Sequence, residues 1–368
     1  MVARLTKGGH ALLVQAGAGE SAGFTDSAFE TAGATLVRDT STLLRDADAI
    51  VKVQRPAWSD AAEANEVELM KEGAVLIGFL KPSVDSALLE KLAARNVSAF
   101  AMELVPRISR AQSMDALSSQ ATVAGYKAVL LAANALPKFF PMLMTAAGTI
   151  RPASVLVVGA GVAGLQAIAT ARRLGAVVEA FDTRPAVREQ VQSLGAKFVS
   201  LEIESHDAED AGGYAKALSA DHLRREMALI ARHVASADVV ITTAQIPGRP
   251  APVLITQEMV GAMRPGSVIV DLAADSGGNC EASRPGRTEI VHGVTILAPL
   301  NLPSEVALHA SQMYARNVTS LLELIAPKGV LAIDMNDEIV RGTCVTHGRR
   351  VLYSAVGGQA TSSQGASK

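Results

Sequence analysis

The chain has 368 residues, 49% of them hydrophobic and 19% charged. That is the length of two domains with enough apolar material for a sizeable core, which excludes a disordered chain. Thirty-four Lys plus Arg stand against 36 Asp plus Glu, and aromatics make up only 4%. Nucleic acid is excluded as the main ligand, because phosphate neutralisation and base stacking are both undersupplied. Two cysteines, Cys280 and Cys344, make neither a disulfide framework nor a zinc site, and they fit a reducing compartment.

One uncharged stretch, residues 152–171, exceeds the ~18 residues a bilayer span needs. It is broken by Pro, Ser, Gln, Thr and three glycines, so no membrane span is predicted. The first nine residues hold no apolar secretory core. Residues 360–368, rich in Ser, Gln and Gly, read as a frayed end.

Short apolar runs alternate with longer amphipathic stretches, the rhythm of repeated βα units and parallel sheets. Residues 2–7 read as the end of a helix stopped by Gly8-Gly9, where a doubly wound domain would open with a strand. Strands are then expected at 11–15, 35–37, 49–53, 74–78 and 98–101, with helices at 26–31, 41–45, 61–71 and 83–94. A long helix is expected over 116–135, free of internal Pro and ended by Leu136-Pro137. Residues 140–152 read as a loop between domains.

Six buried strands follow at 154–158, 177–181, 198–201, 239–243, 267–272 and 295–297, the count of a full dinucleotide-binding fold. A second long helix at 304–324 carries the chain back to the first domain. Strand pieces at 331–334 and 344–353 complete that domain. The expected fold is α/β: two doubly wound Rossmann-like domains with parallel sheets, joined by two long helices around a cleft. The first domain is discontinuous, 1–115 plus 306–368, and the second spans 116–305.

The strongest local signal is Val155-Leu156-Val157-Val158-Gly159-Ala160-Gly161-Val162-Ala163-Gly164, an apolar strand running into G-x-G-x-x-G and a helix. Gly159 permits the tight turn, Gly161 lets the backbone approach a pyrophosphate, and Gly164 lets helix and strand pack closely. The helix start at Val162 presents unpaired N–H groups to the phosphates. Asp182 ends the next strand, 18 residues past Gly164. A carboxylate there accepts from an adenosine ribose diol and repels a 2′-phosphate, which favours NAD over NADP. It also suits a helix N-cap ahead of Pro185, and the two roles are compatible. Thr183 and Arg184 follow, and Arg184 offers the opposing possibility of serving a 2′-phosphate.

Arg107, Gln112, Asp115 and Ser118 precede the long helix, where the nicotinamide end should reach. A guanidinium, an amide, a carboxylate and a hydroxyl together can fix a carboxamide and a ribose. The alternative is that Asp115 caps the helix and Arg107 is a surface charge. Gly213 and Tyr214 lie in a polar Gly-Gly loop, read either as a lid over bound cofactor or as an ordinary solvated loop. Thr243, Ala244 and Gln245 follow the fourth strand, and residues 272–278 follow the fifth, at the carboxyl ends that line a ligand crevice. The seven histidines show no metal spacing, and no metal is expected.

These segments resemble the NAD(H)-binding component, the soluble part of the alpha subunit, of proton-translocating nicotinamide nucleotide transhydrogenases. The resemblance extends through Val51-Lys52-Val53-Gln54-Arg55-Pro56, Ala101-Met102-Glu103-Leu104 with residues 106–120, Met144-Thr145-Ala146-Ala147-Gly148-Thr149, Ala211-Gly212-Gly213-Tyr214-Ala215-Lys216, residues 241–252 and Met263-Arg264-Pro265-Gly266-Ser267-Val268. It implies that hydride passes directly between NAD(H) on this chain and NADP(H) on a partner subunit. Membrane-spanning partners would couple that transfer to proton movement. It also implies a homodimer on the cytoplasmic, inner face of the membrane, held there by its partners. Arg107, Gln112, Asp115 and Ser118 fall on the family's nicotinamide-positioning loop, Asp182 on the adenosine ribose, and Tyr214 on the mobile loop.

Two departures mark the resemblance: the family's opening strand with a Lys-Glu…Glu-x-Arg-Val-Ala segment is not found ahead of residues 2–7, and Leu300-Asn301-Leu302-Pro303-Ser304-Glu305 differs from the commonest form of its loop. The alternatives are an alanine dehydrogenase and a non-catalytic NAD-binding protein. The first needs a Lys where Gln54 stands and a His that Ile77-Gly78-Phe79-Leu80-Lys81-Pro82 does not hold.

Overall fold

The computed structural model describes residues 1–200, 220–246 and 249–354. The chain divides into two compact units. One comprises Met1–Gln120 with the described residues from Ala307 onward, and the other is Ala121–Val306.

The second unit is built on a seven-stranded sheet: β1 Ser154–Val158, β2 Val177–Phe181, β3 Lys197–Val199, β4 Val239–Thr242, β5 Val268–Asp271, β6 Thr288–Val291 and β7 Val294–Leu297. Spatial order is β3-β2-β1-β4-β5-β7-β6. The first six in that order run parallel, and β6 joins β7 antiparallel at the edge.

The apolar runs alternate across the sheet. Val155, Val157, Val239, Ile241, Val268 and Val270 enter one core, and Leu156, Val158, Val240 and Ile269 enter the other. Both faces are therefore covered, which is why these strands are continuously apolar. Ala128, Val129 and Ala132 of the helix Ala116–Ala135 and Ala167, Ile168 and Ala171 of α1 (Val162–Arg173) close the first face. Leu229, Ile230 and Val234 of the helix Ala220–Ser236 close the second. Each fully buried Val, Leu or Ile side chain here contributes about 1.5–3 kcal/mol.

The expected six parallel strands are present; the antiparallel edge strand β6 was not expected. Residues 140–152, read as a loop, contain a hairpin of Leu143–Thr145 and Gly148–Ile150. The region differs because the hairpin is nearly all exposed and carries no buried period to read.

The other unit holds a mixed five-stranded sheet in the order Arg350–Val351, Cys344–His347, Ser98–Ala101, Val75–Gly78 and Ala49–Val51. The last three strands run parallel, Cys344–His347 pairs antiparallel with Ser98–Ala101, and Arg350–Val351 pairs antiparallel with Cys344–His347. Tyr314, Val318, Leu321, Leu322 and Ile325 of the helix Ala307–Ile325 cover one face. Leu88, Leu89 and Leu92 of the helix Ser86–Ala94 cover the other.

Leu13–Gln15 and Thr35–Val37 pair in a parallel sheet of their own, so this unit's sheet is divided rather than continuous. Among the described residues no strand pairs with the second edges of Leu13–Gln15 or Ala49–Val51. Val2–Lys7 is a helix that stops at Gly8-Gly9, as the sequence indicates, with Leu5 buried. Two expectations are corrected. Residues 331–334 form no strand. Residues 61–71 hold only the short helix Glu66–Leu69 beside a hairpin of Trp58–Ser59 and Ala64–Asn65. The Asn65 side chain caps that helix, which sets its start.

Candidate functional site

The glycine turn sits where β1 meets α1, and each glycine has a distinct physical reason. Gly159 has φ +101°, which L side chains rarely adopt, and its N–H donates to Phe181 O at 2.8 Å. A Cβ on Gly164 would lie 1.9 Å from Gly159 O, so only glycine lets α1 start this close to the turn. Among the described residues, a Cβ on Gly161 would meet nothing within 4 Å. That residue caps α1 without a side-chain hydrogen bond, leaving backbone amides and the positive end of the helix dipole facing open space. Val162, the first helical residue, is 42% exposed at the same place. A cradle that a side chain would fill, lined by helix amides, fits a pyrophosphate.

Asp182 lies at the end of β2, beside the turn. Its Oδ2 accepts from Ala160 N at 2.7 Å and from Arg184 Nη2 at 2.9 Å. Its Oδ1 accepts from Arg184 N and Arg184 Nε, both at 2.9 Å. The pair is largely buried, with Arg184 20% and Asp182 6% exposed at the side chain. Thr183 between them is partly buried.

The β4 end closes the turn from the other side. Thr243 N donates to Val158 O at 2.9 Å, and Thr243 Oγ1 donates to Gly159 O at 2.9 Å. Ala244 N donates to Asn279 Oδ1 at 3.0 Å, and Asn279 Nδ2 donates to Ala244 O and Pro252 O. Gln245 Nε2 donates to Leu272 O at 3.0 Å. Fully buried Asp271 accepts from Thr242 Oγ1, Ala273 N, Cys280 N and Ser283 Oγ, which joins the loops after β4 and β5. Burial pushes the Cys280 thiol up, so it stays neutral in this network.

Sequence reasoning missed Asn279, Asp271 and Gly125. A Cβ on Gly125 would lie 2.1 Å from Ala163 O, so glycine allows the helix Ala116–Ala135 to lie against the start of α1. The Asp ending an apolar strand at Val268-Ile269-Val270-Asp271 is the one signal that pointed to any of the three.

The structure brings together Gly159, Gly161, Val162, Gly164, Asp182, Arg184 and Thr243, with Ala244 and Gln245 on the adjoining loop. Gly213 and Tyr214 lie outside the described residues.

The remaining candidates belong to the other unit. Asp115 accepts from Ser118 N at 2.8 Å and Ser118 Oγ at 2.6 Å, capping the helix Ala116–Ala135. Arg107 and Gln112 are exposed on the same segment. Buried Asn317, also missed, ties this segment down: its Nδ2 donates to Ser113 O and its Oδ1 accepts from Ser119 Oγ. Ala111 and Met114 anchor it in the core beside Tyr314. Among the described residues no group of three or more His, Cys, Asp or Glu is placed to hold a metal.

Six parallel strands covered on both faces, a glycine turn and a carboxylate at the second strand's end define a Rossmann-type α/β protein with a further α/β unit. Residues 1–124 match the family described as alanine dehydrogenase/PNT, N-terminal domain, and residues 128–354 match alanine dehydrogenase/PNT, C-terminal domain. The chain belongs to this family.

An NAD(P) transhydrogenase alpha-subunit chain of Rhodospirillum rubrum is 48% identical over 362 residues, 98% of this chain and 94% of that one. A solved transhydrogenase from Sinorhizobium meliloti superposes with TM-score 0.85 at 46% identity, covering 95% of this chain and 93% of that one. A solved L-alanine dehydrogenase superposes with TM-score 0.79 at 27% identity, covering 96% and 92%.

Proposed function

We propose that this chain is the NAD(H)-binding component of a proton-translocating transhydrogenase. It would exchange hydride directly with NADP(H) on a partner subunit, and a separate membrane subunit would couple the exchange to proton movement. The observation that supports this most is the 48% identity to a transhydrogenase alpha-subunit chain over nearly the whole of both.

The α1 amides and Gly161 would hold the pyrophosphate, Asp182 the adenosine ribose, and the loop from Thr243 to Gln245 the adjoining part of the nucleotide. Arg107, Gln112, Asp115 and Ser118 would position the nicotinamide, with Tyr214 and Gly213 acting as part of a lid. When bound, NAD(H) supplies the hydride. A transfer between two nicotinamides moves no proton, so these side chains need supply only alignment. That agrees with a positioning set made of an amide, a guanidinium, a hydroxyl and a carboxylate held in a helix cap.

Among the described residues no helix is long and apolar enough to cross a membrane. We propose further that the chain, as a homodimer, sits on the inner membrane face through its partners. Alanine dehydrogenase is the second reading, favoured by the 27% identical structure. Gln54 at the expected Lys position argues against it.

The test mixes the purified chain with a transhydrogenase NADP(H)-binding domain and follows hydride transfer from NADH to an NADP analogue. Transfer only in the presence of that domain supports the proposal. Alanine-dependent NADH formation by the chain alone would replace it with the second reading. Binding of NADH with neither reaction would leave a non-catalytic nucleotide-binding protein.

A further inference from the structure

A carboxylate offers about four lone-pair positions, and in Asp182 all four are filled. Two are taken by backbone N–H groups that belong to the fold, Ala160 N on Oδ2 and Arg184 N on Oδ1. The other two are taken by one side chain, Arg184 Nε on Oδ1 and Nη2 on Oδ2, a bidentate fork that matches carboxylate geometry. A ribose diol brings two O–H donors and needs two of these positions. Ala160 N cannot leave without breaking the glycine turn between Gly159 and Gly161, and Arg184 N is held by the main chain two residues from Asp182. Only the guanidinium can make room.

We propose that Arg184 is a latch on Asp182: its guanidinium holds the two acceptor positions that the adenosine ribose takes, so nucleotide affinity is set by how often the latch stands open. This rests on the reading of Asp182 as the ribose acceptor. The apparent dissociation constant then equals the intrinsic one divided by the open fraction. Arg184 thereby determines affinity without contributing a contact to the ribose. The fork is two residues from its carboxylate and 20% exposed, so the guanidinium lies at the edge of the site beside solvent.

The experiment is a mutant cycle read by NADH fluorescence titration on the full chain, with thermal unfolding as the check on folding. Arg184→Ala should tighten NADH binding by about three- to tenfold, the reciprocal of an open fraction of about one-third to one-tenth. Arg184→Lys, which cannot bridge both oxygens, should give a smaller tightening. It decides the matter if the alanine variant fails to fold. In an Asp182→Asn background, where an amide N–H2 replaces one carboxylate oxygen and the fork can no longer bridge two acceptors, Arg184→Ala should change affinity less than twofold. Unchanged or weaker binding in Arg184→Ala, together with weaker binding in Asp182→Asn, overturns the latch and leaves the ribose reading standing. Unchanged binding in Asp182→Asn removes both.

Discussion

Gly164→Ala separates packing from ligand approach when it is set beside Gly161→Ala. The new Cβ at 164 would stand 1.9 Å from Gly159 O and 3.2 Å from Thr243 Oγ1. Relief to an ordinary carbon–oxygen contact needs the start of α1 to retreat by over 1 Å, on the order of the misfits that cost 1–3 kcal/mol in packed interiors. The turn cannot retreat instead. Thr243 Oγ1 holds Gly159 O from one side, and Asp182 holds Ala160 N from the other. Ala is the better helix former by about 1 kcal/mol, which offsets part of the cost.

A net loss of up to about 2 kcal/mol lowers the melting temperature by up to roughly 8 °C for a unit of this size. The displaced amides should weaken NADH binding by more than tenfold. At Gly161 the added Cβ meets nothing among the described residues, and the melting temperature should stay within about 2 °C, since a glycine cap differs from alanine by under ~1 kcal/mol. NADH binding should nevertheless fall by about tenfold, because the methyl fills the phosphate cradle. Thermal unfolding and NADH titration of both variants decide it. A Gly164→Ala protein with unchanged melting temperature and affinity would refute the packing argument, and a Gly161→Ala protein that binds normally would refute the cradle.

Three further outcomes are expected. Gln112→Ala should slow hydride transfer more than it weakens NADH binding, as lost alignment predicts, and equal losses in the two assays would make it a plain binding residue. Asp271→Asn turns one of two fully engaged acceptor oxygens toward donors as an amide; denaturant titration should show a loss of about 2–4 kcal/mol, and a loss under ~1 kcal/mol would mean the network is dispensable. For Asp238, burial alone would raise the carboxyl, but hydrogen bonds from Lys138 at 2.6 Å and from Ser154 outweigh it and hold the group below the usual carboxylate range. A depressed carboxylate contributes stability above its unfolded value near 3.8 and loses it as pH falls through the lower folded value. Lys138→Met should therefore cost about 1–3 kcal/mol near neutral pH. The gap to the parent should narrow below about pH 4, and a gap independent of pH in acid titrations would contradict that assignment.

Much of the candidate site was legible because its signals are local. Gly159 needs a positive φ, Gly164 needs room, and Asp182 follows at fixed spacing on the next strand. The cap at Asp115 was equally readable, since Ser118 lies three residues on. Asn279 and Asn317 were not. Their partners Ala244, Pro252, Ser113 and Ser119 lie far along the chain, and a lone Asn carries no period or spacing.

The sequence by itself determined the six parallel strands, the helix Ala116–Ala135 and the dinucleotide turn. Alternating burial, uninterrupted helical spacing and glycine conformational freedom act within a few residues of the chain. Tertiary structure alone decided how the carboxylates and amides are used. It also divided the sheet of the other unit at Leu13–Gln15 and set β6 antiparallel at the edge. Whether a buried donor meets an acceptor, or a strand edge meets a neighbour, depends on which distant segments fold together, and a linear pattern does not record that.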